Sequence, residues 1–189
     1  HSNLSSKIKS DNLERHMANN LKRVAIVGGS RVPFCRSNTF YSDLSNKDLL
    51  TAALNGLIEK YNLKGHHIDE VIAGAVVHHS RDYNLARECI LNTKLLPSTS
   101  GVTIQQACGT SLQAALMIAA KISSGEIESG IAAGADTISD APLVFSKRFS
   151  RRLLELNSRK KFHEKISVFK GFSLNELLPQ PPSVKEPRT

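Results

Sequence analysis

Gly101-Val102-Thr103-Ile104-Gln105-Gln106-Ala107-Cys108-Gly109-Thr110-Ser111-Leu112-Gln113-Ala114 joins a β-rich run to a turn of small residues and then to the start of a helix. Gly101 to Gln105 predicts a strand. From Gly109 to Ser124 nearly every face is apolar (Leu112, Ala114, Ala115, Leu116, Met117, Ile118, Ala119, Ala120, Ile122), and Gly125 supplies a C-terminal stop. A helix with so little polar face is expected to be buried.

The same alternation extends in both directions. Asp69 to Val77 reads as a strand and Leu85 to Leu91 as a helix. Upstream, Ser45-Asn46-Lys47-Asp48 has the residue types of a capping box, and Leu49, Ala52, Ala53 and Leu57 recur at helical spacing through Lys60. Earlier still, Val24-Ala25-Ile26-Val27-Gly28-Gly29 predicts a strand buried on both faces. Downstream, Ser129 to Ala135 closes the series as a fourth strand. Strand and helix thus alternate through residues 23–140, the pattern of an α/β domain.

Composition bounds what surrounds this domain. The chain has 189 residues, 40% of them apolar, with 25 Lys and Arg against 17 Asp and Glu for a net charge of +8. No stretch approaches the ~18–20 uninterrupted apolar residues of a membrane-spanning helix. The first residues carry no apolar h-region, so no secretory signal is expected. Three cysteines, Cys35, Cys89 and Cys108, form neither a CxxC pair nor a dense framework. A reducing compartment follows from that usage, the cytoplasm first and the mitochondrial matrix as the alternative.

Residues 1–20 are polar and aperiodic and read as a disordered tail or an appended extension, 21–140 as the α/β domain, and 141–189 as a basic, incomplete domain. Residues 146–170 hold Lys147, Arg148, Arg151, Arg152, Arg159, Lys160, Lys161, Lys165 and Lys170 against Glu155 and Glu164, which is nearly all of the net charge. Beside these charges, Phe145, Phe149, Leu153 and Leu156 make an apolar stripe. A solvated amphipathic helix, a membrane surface or a partner subunit met through 145–165, and coenzyme phosphates all fit that pattern. Nucleic acid does not, since 5% aromatic content offers no stacking platform.

Cys108 is the candidate reactive group. A thiol between a strand and a helix start meets unpaired N–H groups and the positive end of the helix dipole, which favour a thiolate and can receive an oxyanion. Its own backbone N–H is a candidate oxyanion donor. The alternative is that Cys108 is a small buried hydrophobe. His1, His16, His66, His67, His78, His79 and His163 carry no supporting motif, and adjacent side chains such as His78-His79 point apart, so no metal site is expected. Cys35 and Cys89 are taken as structural. Gly28-Gly29-Ser30 lacks the spacing and the lysine of a nucleotide loop.

Cys108-Gly109-Thr110-Ser111-Leu112-Gln113-Ala114 resembles the nucleophile motif of thiolases. Arg31-Val32-Pro33-Phe34 is similar to that family's Arg-Thr-Pro-Phe, Asp69-Glu70-Val71-Ile72-Ala73-Gly74 to its second-strand signature, Ala86-Arg87 to its Ala-Arg pair, and Ile131 to Pro142 to its Ala-Gly-Gly-x-Glu-x-Met-Ser-x-x-Pro. Thr110-Ser111 stands in place of Ser-Gly, and Asp136-Thr137-Ile138 in place of Glu-x-Met. Beyond Pro142, Phe145 to Asn157 and Pro181 to Thr189 look most like the thiolase subunits of fatty-acid oxidation complexes.

The resemblance implies a thiolase-like α/β fold: the N-terminal half, with a mixed sheet covered by helices and a buried central helix, followed by the start of a loop domain. It further implies acyl transfer through an acyl-cysteine at Cys108, with 3-ketoacyl-CoA, acetyl-CoA and coenzyme A as substrates and no covalently bound cofactor. A homodimer or tetramer is expected of the full-length protein, with a hydratase/dehydrogenase subunit as a possible further partner. The family's Gly-His-Pro and Cys-x-Gly motifs, which supply its acid and base, do not occur in these residues, so the chain alone is expected to be inactive. A ketoacyl-synthase-type condensing enzyme and a non-catalytic thiolase-like scaffold are the alternatives.

Overall fold

The computed structural model describes residues 22–179. The tail expected at 1–20 and the segment Pro181–Thr189 lie outside the described residues. The chain divides into two compact units between Ala141 and Pro142.

The first unit is built on β1 (Glu70–Gly74), β2 (Ser100–Ile104) and β3 (Gly130–Gly134), in the order β2-β1-β3. Both pairings are parallel, with Glu70 opposite Ser100 on one side and Gly130 on the other. Among the described residues three α-helices accompany them: α1 (Asn46–Lys60), α2 (Leu85–Leu91) and α3 (Thr110–Ser124). From β1 the chain steps out to β2 and then returns past β1 to β3. Reversing direction with one crossover hand puts the two connecting helices on opposite faces of the sheet.

The core shows that separation. Val71, Ala73 and Ala75 point to one face, where they meet Leu50, Leu54 and Ile58 of α1 and Leu85, Ala86 and Ile90 of α2. Ile72, with the opposite parity, packs with Ala114 and Ile118 of α3. β1 is buried at every residue, as a central parallel strand requires. Its first residue, Glu70, is buried against the Lys121 ammonium at 2.8 Å, which fastens α3 to the sheet. A tie of another kind joins α2 to β2: the Asn84 side chain caps α2 by accepting from Arg87 N–H at 3.0 Å and donates to the Gly101 carbonyl at 3.0 Å.

Two expectations are corrected. The segment 24–29 is not a buried central strand: Ile26 is 95% exposed and Val27 88%. Its place in the ladder is closed, because β1 pairs directly with β3. The segment lies instead against the end of α1, where Gly29 N–H donates to the Tyr61 hydroxyl at 3.2 Å and Lys60 Nζ to the Gly29 carbonyl at 3.0 Å. A side chain at Gly28 would collide with that same hydroxyl.

The second correction concerns α3, which is not buried all round. Thr110, Ala114 and Ile118 face the sheet, whereas Leu112 is 67% exposed and Leu116 56%. A single sheet covers only one stripe of a helix. The capping box at the start of α1 forms as expected, with Asp48 N–H donating to Ser45 Oγ and Ser45 N–H to Asp48 Oδ2.

The second unit contains α4 (Lys147–Ser158), the short α5 (Phe162–Ser167) and a 3-10 turn at Leu174–Leu177. Phe149 stacks edge-on against Phe145 and packs against Phe172. Arg152, one of the basic residues of 146–170, is turned inward. Its Nε meets Glu176 Oε2 at 2.9 Å and its guanidinium also donates to the carbonyls of Val168, Lys170 and Gly171. The apolar stripe is only partly sheltered, since Phe145 and Leu153 remain exposed.

Candidate active site

Cys108 lies in the turn between β2 and α3, beyond the carboxyl end of the sheet, and its side chain is exposed. It is therefore not the small buried hydrophobe of the alternative reading. Gly109 is the N-cap of α3 and offers no side-chain cap, so the first N–H groups of the helix have no side-chain acceptor there. The turn is closed by Gly109 N–H donating to the Gln106 carbonyl at 2.9 Å, and Ala107 takes the left-handed conformation with φ of 44°.

Two strand-end glycines set how close this helix start can come to the sheet. Gly74 and Gly134 are register partners at the ends of β1 and β3. A Cβ on Gly74 would stand 1.9 Å from the Ile104 carbonyl and 2.7 Å from the Thr110 methyl, and one on Gly134 would stand 2.5 Å from Ser111 Oγ. Only glycine permits that seat. Loops leaving β1 and β2 run to helices on opposite faces, the arrangement that in open α/β sheets marks the ligand-binding end.

Three loops at this end are fastened together by side chains that bond to backbone. Gln105 Nε2 donates to the Val76 carbonyl at 2.5 Å. Asp136 Oδ1 accepts from Val76 N–H at 2.7 Å and Val77 N–H at 3.2 Å. Asn46, 1% exposed, donates to the Val77 carbonyl at 2.7 Å and accepts from Thr137 N–H at 2.8 Å. Sequence reasoning placed Asn46 only within a capping box. A signal was present, because Asn46 falls on the same helical stripe as Leu50, Leu54 and Ile58, and a polar residue on a buried stripe needs partners.

Cys89 is buried, and desolvation pushes its thiol up to about 11, which makes it unreactive at neutral pH. Cys35 is exposed. His79 Nε2 bonds to the Asp140 carbonyl at 2.5 Å, while the Asp140 carboxylate pairs with Arg81. His67 sits 2.8 Å from Asp69 at the amino end of β1. Among the described residues no three His, Cys, Asp or Glu side chains converge as metal ligands.

Residues 24–173 match the family described as the thiolase N-terminal domain. The chain is 36% identical over 175 residues to the 3-ketoacyl-CoA thiolase of Shewanella baltica, covering 92% of this chain and 40% of that protein. It is 36% identical over 165 residues to the corresponding protein of Shewanella oneidensis, covering 87% and 38%. The chain thus spans about two fifths of the length of these curated relatives. Among solved structures, it is similar to the Bacillus anthracis acetyl-CoA acetyltransferase, with a TM-score of 0.64 at 25% identity over 68% of this chain and 32% of that one. It is also similar to the Acat5 thiolase from Ascaris suum in complex with coenzyme A, with a TM-score of 0.63 at 28% identity, covering 67% and 33%.

Proposed function

This chain belongs to the thiolase family, and from that premise we propose that it carries the nucleophile half of an acyl-CoA acyltransferase, with Cys108 as the acyl acceptor. The observation that carries the reading is the exposed thiol of Cys108 on the turn that opens α3, the position of the family's nucleophile motif.

In the cleavage direction Cys108 Sγ adds to the C3 carbonyl of a 3-ketoacyl-CoA, and the C2–C3 bond breaks. The electron pair leaves on the α-carbon of acetyl-CoA, which takes a proton. The thiol of coenzyme A then attacks the acyl-cysteine and carries off the shortened acyl group, freeing Cys108. Covalent catalysis divides one difficult step into two easier ones. The Cys108 N–H is our candidate donor to the oxyanion formed in each addition.

The proton transfers at the α-carbon need groups of the kind held in Gly-His-Pro and Cys-x-Gly motifs, absent from these residues, and the same groups speed, without being required for, attack by the thiol. Full turnover is therefore assigned to the whole protein, acting in the cytoplasm on fatty acyl substrates as a dimer or tetramer. Residues 145–165 are available to a partner subunit or an anionic membrane surface.

Thioester exchange needs no chemistry at the α-carbon, so it tests the nucleophile directly. Incubated with acetyl-CoA and mapped by peptide mass spectrometry, the chain is expected to acquire a hydroxylamine-labile acetyl group on Cys108. Cys108→Ala should abolish it. Acetylation spread equally between Cys35 and Cys108, or none on Cys108, would overturn the assignment.

A further inference from the structure

Thr110 uses both branches of its side chain. It is buried, and its Oγ1 accepts from Gln106 N–H at 2.9 Å while donating to the Ala107 carbonyl at 2.8 Å. Its methyl packs where a side chain on Gly74 would otherwise stand. The hydroxyl therefore closes the turn on the two residues that precede Cys108, and the methyl seats the start of α3 on β1.

One of those residues is strained. Ala107 holds φ of 44°, a conformation that L-residues rarely adopt and that persists only where its surroundings hold it. Thr110 supplies two of the bonds that do so, since its N–H also reaches the Ala107 carbonyl at 3.3 Å. Without the hydroxyl, Gln106 N–H loses its partner and the turn can relax. Cys108 Sγ and the Cys108 N–H then lose the orientation in which both meet one carbonyl. A displacement of about 1 Å at a reacting atom is enough to cost orders of magnitude in rate.

We propose that Thr110 is a positioning residue, whose hydroxyl holds the 106–110 turn in the form that presents Cys108 Sγ and the Cys108 N–H to the same carbonyl. This rests on Cys108 as the nucleophile. It assigns a role to the position where the chain departs from the family's usual serine, since threonine keeps the hydroxyl and adds the contact with Gly74.

The test compares Thr110→Val, which loses the hydroxyl and keeps the shape, with Thr110→Ser, which keeps the hydroxyl and loses the methyl. Two readouts are taken on the full chain: the rate of acetyl transfer from acetyl-CoA to Cys108, and the rate of iodoacetamide alkylation at Cys108 relative to Cys35. Thr110→Val is expected to lower both by about tenfold, with Cys35 alkylation and the melting temperature little changed. Thr110→Ser should stay within about threefold of wild type, because its hydroxyl reaches the same two partners.

Wild-type values in a folded Thr110→Val chain would overturn the proposal, as would a loss in Thr110→Ser equal to that in Thr110→Val. Should the valine chain not fold, Thr110→Ala adds no volume and gives the same comparison with the same overturning results. If wild-type Cys108 takes up no acetyl group, the nucleophile reading fails by itself, and the Cys108 to Cys35 alkylation ratio still decides the role of Thr110.

Discussion

Asp69 is one residue whose titration the structure makes specific. Backbone N–H groups of Glu128 and Ser129 donate to its Oδ2 at 2.9 and 3.0 Å, and His67 meets its other oxygen at 2.8 Å. These bonds hold the carboxyl at about 2, below its ordinary value. A depressed carboxyl contributes stability that is fully present above its unfolded value of about 3.9 and is lost as pH falls through the folded one. Asp69→Asn is therefore expected to melt below wild type near neutral pH, with the gap closing between about pH 4 and pH 2. A gap that stays constant over that range, measured by circular dichroism, would contradict this account. The thiols show the same dependence on surroundings: Cys89 and Cys108 are one residue type, yet desolvation silences the first while the second stands open at a helix start.

At the scale of elements, the loops of the site are held in place by bonds from side chains to backbone, not by the β ladder. Asn46 is the clearest case, because replacing it with Ala strands a half-buried carbonyl at Val77 and a buried N–H at Thr137. The expected loss is about 2–4 kcal/mol in urea unfolding. A loss under about 0.5 kcal/mol would mean that water replaces both bonds. Most elements were legible beforehand: the capping box, the helices at 85–91 and 110–124 and the strands at 70–74, 100–104 and 130–134 all answer to local pattern. The strand expected at 24–29 fails for a reason local pattern does not contain. A run becomes a central strand only where both neighbours have a free edge to offer, and the centre of this sheet is held by β1, paired on its two sides with β2 and β3.

At the scale of the molecule, the chain contains a seat for a nucleophile and lacks the motifs that would complete its chemistry. We expect no sustained cleavage of acetoacetyl-CoA by these 189 residues alone in a coupled assay with coenzyme A, while the proposed acyl exchange at Cys108 is expected to proceed. Turnover at a rate normal for this reaction class would show that acid and base come from residues present here. The open face of α3 points the same way. Leu112 and Leu116 stand in solvent on a helix whose composition is that of a core element, because the three-stranded sheet can shelter only one side of it.

The sequence by itself determined the family, the α/β alternation and the place of Cys108 at a strand-to-helix turn, because those rest on local periodicity, capping and a contiguous motif. Only the tertiary structure decided which side of α3 is covered and that Asn46, Asp136 and Gln105 lock three loops together. It also decided that Arg152 turns inward and that the two branches of Thr110 divide between turn and strand. Each depends on residues far apart in the chain meeting in space, and no spacing along the sequence records that distance.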